Sequence, residues 1–133
     1  MQKFTPFLMF QGQAEEAMNF YVSLFEDSEI LSLTRYGPDG VGEEGTVMRA
    51  VFSLGGQKFM CIDSNVAHDF SFTPALSIYL NCSTEAEIDH LFKKMSEGGQ
   101  VHMPLERYPF SNKFAWLSDK FGVSWQLNLD SDG

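Results

Sequence analysis

The sequence predicts an α+β fold built from two βαβββ modules. Apolar spacing gives the order strand, helix, strand and hairpin in the first half of the chain, and the same order returns in the second half. Apolar residues of the first half have apolar counterparts 70 positions later, as with Leu8 and Ile78, and with Met18 and Ile88. Few of these pairs are identical. The pattern therefore indicates either a duplication or two βα units with the same periodicity.

The first module contains four predicted strands and one helix. Residues 3–10 form an apolar run that predicts a strand, and helical spacing of apolar residues predicts a helix over 14–25. A strand is expected over 29–36. Residues 46–54 and Gln57–Asp63, joined by two glycines, are typical of a hairpin.

The second module repeats this order. A strand is expected over 75–82, and a helix over 84–97 with Ser83 as its N-cap and two glycines after its end. Residues 100–105 predict a strand, and 114–129 a hairpin that turns between Asp119 and Gly122. We expect one domain over 1–133, with modules at about 1–65 and 74–130 joined by a connector over 66–73.

The last predicted strand has two chemically distinct faces. Successive side chains of a strand alternate between its faces. One face therefore carries only neutral polar groups, and the other is apolar. In each module the helix should cover one face of the sheet, which leaves the other face free to contribute to a shared cup. The polar residues are Ser124, Gln126 and Asn128, and the apolar ones are Trp125, Leu127 and Leu129.

Composition disfavours several classes of partner. The formal charge of −9 over 133 residues argues against nucleic acid and against anionic membrane surfaces, which both attract cationic proteins. No apolar run approaches the ~20 residues of a membrane span, and the start lacks a signal-peptide cleavage pattern. Both cysteines lie in apolar strands, which favours reduced, buried thiols over a disulfide. We therefore expect a cytoplasmic protein.

Three segments connect the chain to a known family: residues 13–21 (QAEEAMNFY), 87–89 with 96–99 (EID and SEGG), and 119–126 (DKFGVSWQ). Together they resemble the PhnB-like branch of the vicinal oxygen chelate superfamily, also labelled 3-demethylubiquinone methyltransferase-like. That superfamily contains glyoxalases, bleomycin-resistance proteins and extradiol dioxygenases. The resemblance implies paired βαβββ modules that form curved half-barrels, often assembled into homodimers. The methyltransferase label has no support in the residues, because no glycine-rich nucleotide loop joins a strand to a helix.

The resemblance also implies where a metal would bind. Catalytic members of the superfamily hold a divalent ion with His, Glu or Gln on the first and last strands of the modules. By strand parity these positions fall at Thr5, Cys61, Ser77 (or Ala75) and Gln126. Hydroxyls, one thiol and one amide are poor ligands for a divalent ion, which prefers imidazole, carboxylate or several thiolates. We therefore expect no metal and no cofactor.

The expected cup is mostly apolar with a few neutral hydrogen-bonding groups, as small-molecule sites usually are. Strand parity assigns eleven residues to it. They are Thr5, Phe7, Met9, Phe59, Cys61, Asp63, Ser77, Tyr79, Ser124, Gln126 and Asn128.

Alternatives remain for individual residues. Cys61 is either a buried thiol, which its apolar neighbours favour, or a nucleophile that needs a nearby cation. Asp63 is either a turn-capping carboxylate or a general base in an apolar pocket. The three histidines match no common metal motif, although His102 borders the second module's cup. Residues 103–113 predict an irregular aromatic stretch. A dimer contact or plain packing is favoured for it over a lid that offers Arg107 to an anion.

Three functional hypotheses follow. The favoured one is a metal-independent, homodimeric protein that binds a small organic molecule. The second is a metal-dependent isomerase, lyase or dioxygenase whose ligands are completed by a partner subunit. In the third, the cup is vestigial and the dimer surface or a protein partner carries the function.

Overall fold

The structure, a computed structural model, describes residues 2–130. The chain divides into two compact units, Met1–Asp69 and Phe70–Gly133. Each unit contains one helix and one four-stranded sheet, in the order βαβββ. The predicted α+β class with two βαβββ modules is therefore confirmed.

In the first unit, one helix packs on one face of the sheet. Four buried residues at helical spacing form the contact face of the helix: Ala14, Ala17, Met18 and Tyr21. Tyr21 stacks on Phe52, with 6.3 Å between ring centroids, and Phe52 stacks on Phe59 at 5.4 Å. The strand order is β1-β4-β3-β2, with β1 parallel to β4. The elements are β1 (Phe7–Phe10), α1 (Ala14–Leu24), β2 (Glu29–Arg35), β3 (Val47–Leu54) and β4 (Gln57–Asp63).

The start of α1 depends on a carboxylate from β4. Gln13 at the N-cap makes no side-chain capping hydrogen bond. Instead, Oδ1 of Asp63 accepts hydrogen bonds from the backbone N–H of Gly12 (2.8 Å) and Ala14 (2.9 Å). Its Oδ2 accepts one from Val47 N–H at 2.9 Å. Three donors that burial would leave unsatisfied are thereby paired at the end of the sheet.

These contacts correct the predicted facing of β4. Phe59, Cys61 and Asp63 were expected to line the cup, but all three are buried on the helix side of the sheet. Asp63 bonds the first turn of α1, and Phe59 belongs to the aromatic stack under it. Met60 pairs with Phe7, and Ile62 with Met9, so these four side chains share the opposite face.

The second unit repeats the architecture. Its strand order is β5-β8-β7-β6, with β5 parallel to β8. Ile88, Leu91 and Met95 are the buried residues of its helix. The elements are β5 (Ser77–Cys82), α2 (Glu85–Ser96), β6 (Gln100–Tyr108), β7 (Ser111–Ser118) and β8 (Ser124–Leu129).

The N-terminus of α2 is capped one residue later than predicted. Thr84, not Ser83, is the N-cap, and its hydroxyl accepts a hydrogen bond from Glu87 N–H at 3.1 Å. The Glu87 carboxylate in turn accepts one from Ser83 N–H at 2.7 Å. The two side chains together satisfy backbone donors at the helix start, much as in a capping box.

Several predicted strand limits are also corrected. β1 begins at Phe7 rather than at residue 3, and β5 at Ser77 rather than at residue 75. The stretch 103–113 is not irregular, because β6 continues to Tyr108 and β7 begins at Ser111. Register shifts along the β6–β7 pair interrupt the ladder on both sides of Pro104, which is where a sheet tolerates proline.

The turn between β7 and β8 is closed by a second buried carboxylate. Oδ1 of Asp119 accepts hydrogen bonds from Phe121 N–H (2.9 Å) and Val123 N–H (3.1 Å). Its Oδ2 accepts one from Trp125 Nε1–H at 2.9 Å. Gly122 has a φ of 92°, which strongly favours glycine.

Within residues 2–130, no helix has both the length and the apolar character needed to cross a membrane.

Candidate functional site

The face of the second sheet that α2 does not cover carries three cross-strand rows of side chains. Residues that pair across neighbouring strands point to the same side, so the pairing of β5, β8 and β7 defines these rows. We call these nine residues the open face. They are Ser77, Ser124 and Ser118 in the first row, Tyr79, Gln126 and Trp116 in the second, and Asn81, Asn128 and Phe114 in the third.

The structure thus brings together five of the eleven expected site residues: Ser77, Tyr79, Ser124, Gln126 and Asn128. Sequence reasoning missed four members of the open face, namely Asn81, Phe114, Trp116 and Ser118. The sequence carries no clear signal for these positions on β7, because residues 114–117 are all apolar. The pairing of β7 with β8 identifies them.

The serine row fixes the indole of Trp116. Ser77 Oγ and Ser124 Oγ share a hydrogen bond of 2.6 Å. Trp116 Nε1–H donates to Ser124 Oγ at 2.9 Å. Because Ser124 is buried, these hydrogen bonds hold the indole in one orientation. They also engage the hydroxyl groups of Ser77 and Ser124.

His102 lies beside the open face. Its ring centroid is 4.9 Å from that of Trp116, and its Nε2 shares a hydrogen bond of 2.8 Å with Ser118 Oγ. A register shift between Val101 and Met103 interrupts the regular pairing of β6 at this residue. The imidazole is therefore a neighbour of the serine row and supports the indole.

The asparagine row is also internally paired. Asn128 Nδ2 donates to Asn81 Oδ1 at 3.1 Å, and Ser111 Oγ donates to Asn128 Oδ1. At the end of the row, Phe114 is buried among other rings, with centroid distances of 5.0 Å to Phe110 and 6.4 Å to Tyr79.

The expected residues of the first unit are distributed differently. Phe7 and Met9 lie on the sheet face that α1 does not cover, in register with Met60 and Ile62. Thr5 precedes β1, and its hydroxyl accepts a 3.4 Å hydrogen bond from Gln2 Nε2. As described above, Phe59, Cys61 and Asp63 point to the helix side instead.

The cysteine thiols are held in their neutral form. Burial raises the pKa of Cys61 to about 12, with a smaller contribution from the Asp63 carboxylate. Burial likewise raises the pKa of Cys82 to about 12, with a smaller contribution from Glu87. The thiolate is the nucleophilic form, so neither residue is poised for covalent catalysis.

The donor set does not fit a divalent metal. Among residues 2–130 no cluster of three or more His, Cys, Asp or Glu side chains could hold an ion. Cys61 of β4 points to the helix side. The β4 residues on the face that α1 does not cover are therefore Met60 and Ile62. A thioether and a hydrocarbon are poorer ligands for a hard or borderline ion than a thiol.

Arg107, weighed above as an anion ligand, lies at the end of β6 next to the turn into β7. Residues 107–112 line a surface depression of about 460 Å³ there. The Tyr108 and Phe110 rings stack across this turn with 5.6 Å between centroids, so the depression lies at a hairpin tip.

The family model for 3-demethylubiquinone-9 3-methyltransferase matches residues 2–128. A comparison with curated proteins finds no match.

Solved structures are similar over nearly the whole chain. A PhnB protein from Bacillus cereus shares 62% identity, with 97% of this chain and 100% of that chain covered and a TM-score of 0.96. Protein PA1353 from Pseudomonas aeruginosa shares 28% identity, with 98% of each chain covered and a TM-score of 0.86. The fosfomycin resistance protein FosX from Listeria monocytogenes, at 9% identity, covers 98% of this chain and 94% of its own with a TM-score of 0.64. That last similarity concerns the fold alone.

Proposed function

The chain belongs to the 3-demethylubiquinone-9 3-methyltransferase family, the PhnB-like branch of the vicinal oxygen chelate superfamily, and we propose that it binds a small organic molecule without a metal. The proposed site is the open face of the second sheet. The observation that carries the proposal is its composition: none of its nine side chains is ionisable near neutral pH, and three are aromatic. Apolar surface with a few oriented polar groups is the usual make-up of a small-molecule site.

Methyl transfer has less support in the residues. The strand-to-helix connections are short, with Gln11, Gly12 and Gln13 after β1 and only Ser83 and Thr84 after β5. Neither resembles the glycine-rich turn through which doubly wound folds approach a nucleotide cofactor. The proposal therefore follows the chemistry of the open face and not the reaction in the family's description.

Binding without turnover also agrees with the ionisation of the chain's nucleophiles. Both thiols are neutral at physiological pH because burial raises their pKa to about 12. The Asp63 carboxylate, considered above as a general base, already accepts three backbone hydrogen bonds on the other side of its sheet. Sequestration of a ligand needs neither group.

The first experiment measures metal content by mass spectrometry after purification and dialysis, together with the thermal midpoint in added nickel, zinc, manganese or iron(II). We expect far less than one equivalent of metal and an unchanged midpoint. Stoichiometric metal that survives dialysis would overturn the proposal and favour an enzyme of the same superfamily.

The second experiment detects the ligand through tryptophan emission. Trp116 lies on the open face, whereas Trp125 is buried on the opposite face and bonded to Asp119. An aromatic compound that binds the open face should quench emission in the wild type and in Trp125→Phe, but not in Trp116→Phe. Quenching that survives in Trp116→Phe would place the ligand elsewhere.

We further propose that the protein is a homodimer in the cytoplasm. Large apolar side chains are exposed in the single chain, among them Phe4 (80% exposed) and Leu76 (83%), and contact with a second copy would bury such surface. Both cysteines are free thiols, which suits a reducing compartment. Light scattering across a dilution series tests the dimer, and a concentration-independent monomer mass would contradict it.

A further inference from the structure

Most polar side chains of the open face are hydrogen-bonded. Within residues 2–130 the exceptions are the Tyr79 hydroxyl and the Gln126 carboxamide, both in the central row. The serine row and the asparagine row are paired as described above. Gln126 stands between them on the central strand β8 and is partly exposed. Among the hydrogen bonds found within residues 2–130, none involves its carboxamide. The side chain therefore offers a free N–H donor pair and a free C=O acceptor to a ligand.

Aromatic residues flank this carboxamide on both neighbouring strands. Gln126 pairs with Tyr79 on β5 and with Trp116 on β7. The Tyr79 ring leans across β8, because its centroid lies 6.4 Å from that of Phe114 on β7. The Trp116 indole reaches Ser124 on β8. Aromatic surface therefore borders the carboxamide on both sides.

The two flanking residues differ in freedom. Trp116 is fixed by its hydrogen bond to Ser124 and by the ring of His102. Tyr79 is 53% exposed, so its ring has room to adjust to a ligand. The fixed Trp116 ring and the more exposed Tyr79 ring therefore border the same carboxamide.

The charge of the ligand follows from its surroundings. The central row contains a phenol, an amide and an indole, and the serine row beside it contains only hydroxyls. The neighbouring His102 imidazole shares its Nε2 hydrogen bond with Ser118 Oγ and packs on Trp116. Desolvating a carboxylate or an ammonium group among them would leave an uncompensated charge, which is costly. An uncharged ring with its own hydrogen-bonding edge suits this place.

We propose that Gln126 is the specificity-determining residue of the open face. Its ligand is an uncharged planar aromatic compound whose edge carries an N–H next to a C=O, as in a lactam. The carboxamide pairs with that edge through two antiparallel hydrogen bonds, while Tyr79 and Trp116 supply aromatic surface beside it. This inference rests on the proposed function, because it names the ligand class of the same site.

The test compares two probes by isothermal titration: 2-quinolone, which has the lactam edge, and 1-methyl-2-quinolone, whose N–H is blocked. Net hydrogen bonds contribute about 1 kcal/mol each, so we expect 2-quinolone to bind about tenfold more tightly. Gln126→Leu should raise the Kd of 2-quinolone about tenfold and change that of the methylated probe less than about twofold. Gln57→Leu, at the exposed β3–β4 turn, is the matched control and should change neither Kd.

The outcomes separate the two proposals. Equal affinity of the wild type for both probes, or discrimination that survives in Gln126→Leu, would overturn the role of Gln126 and leave metal-free binding intact. Binding of neither probe would overturn the aromatic lactam as the ligand class, while the metal content still decides the proposed function. If Gln126→Leu does not fold, Gln126→Asn serves instead, because its shorter carboxamide keeps the polarity but not the reach, and the same loss of discrimination is expected.

Discussion

Replacing Asp119 by asparagine removes one charge from the turn between β7 and β8 while keeping the shape of the side chain. The carboxylate accepts three hydrogen bonds, two from backbone N–H groups and one from Trp125 Nε1–H. An amide has only one oxygen. If that oxygen faces the backbone donors, the amide N–H₂ faces the indole N–H, and the reverse orientation leaves two backbone donors unpaired. Either arrangement loses hydrogen bonds in a buried place.

The size of the expected loss in stability follows from these contacts. Trp125 is 1% exposed, so water cannot replace the lost acceptor, and an unsatisfied buried donor costs about 1–3 kcal/mol. The two remaining bonds lose their charge assistance, about 1 kcal/mol each. Part of this is offset because an amide is easier to desolvate than a carboxylate. We expect a loss of about 3 kcal/mol in the free energy of unfolding and a fall of roughly 10 °C in the thermal midpoint.

Urea unfolding followed by tryptophan emission and by circular dichroism measures this loss. In a Trp125→Phe background the donor is absent, so the Asp119→Asn substitution should cost less there, by about 1–2 kcal/mol. Asp89→Asn, which breaks the ion pair of the half-exposed Asp89 with the partly buried Lys113, should shift the urea midpoint far less. The reasoning is refuted if Asp119→Asn unfolds within about 0.5 kcal/mol of the wild type, the usual range of surface substitutions.

Two further predictions concern packing and pH. A Cβ at Gly99 would overlap the backbone oxygen of Ser118, so Gly99→Ala should lower the free energy of unfolding in urea by about 1–3 kcal/mol. A Cβ at Gly37 would have nothing within 4 Å, so Gly37→Ala should leave it unchanged. Equal effects of the two substitutions would contradict this. Burial raises the pKa of Cys61 and Cys82 from 9.0 to about 12. The unfolded chain therefore releases these protons first, and stability is lost between pH 9 and 12, by up to about 1.4 kcal/mol per pH unit for each thiol. The double alanine variant should show a shallower slope, and an unchanged slope would argue against the assignment.

The second sheet was predictable where apolar and polar residues alternate. Along β8, every second residue is polar, so the face of Gln126 follows from the sequence alone. The same rule could not place Trp116, because residues 114–117 of β7 are all apolar. Its face follows only from its pairing with Gln126. His102 could not be placed in this way, since the shifted register of β6 breaks the two-residue period.

The facing of β4 could not be derived in this way. Phe59, Met60, Cys61 and Ile62 form an unbroken apolar run, which has no alternation to read. The run itself therefore did not support the parity assigned to β4. In the structure Asp63 lies on the helix side, where its carboxylate accepts three backbone hydrogen bonds from distant parts of the first unit. Only the folded structure shows which buried donors need an acceptor.

The error on β4 tests how strongly the metal-free proposal depends on strand parity. With the predicted facing, the position on β4 offered the thiol of Cys61. With the observed facing it offers Met60 or Ile62, and the thiol lies on the helix side with its pKa raised to about 12. A neutral thiol is a poor ligand, and binding an ion there would require the loss of that proton. Both facings therefore lead to the same inference, for the chemical reason that neither provides the imidazole or carboxylate groups that a divalent ion prefers.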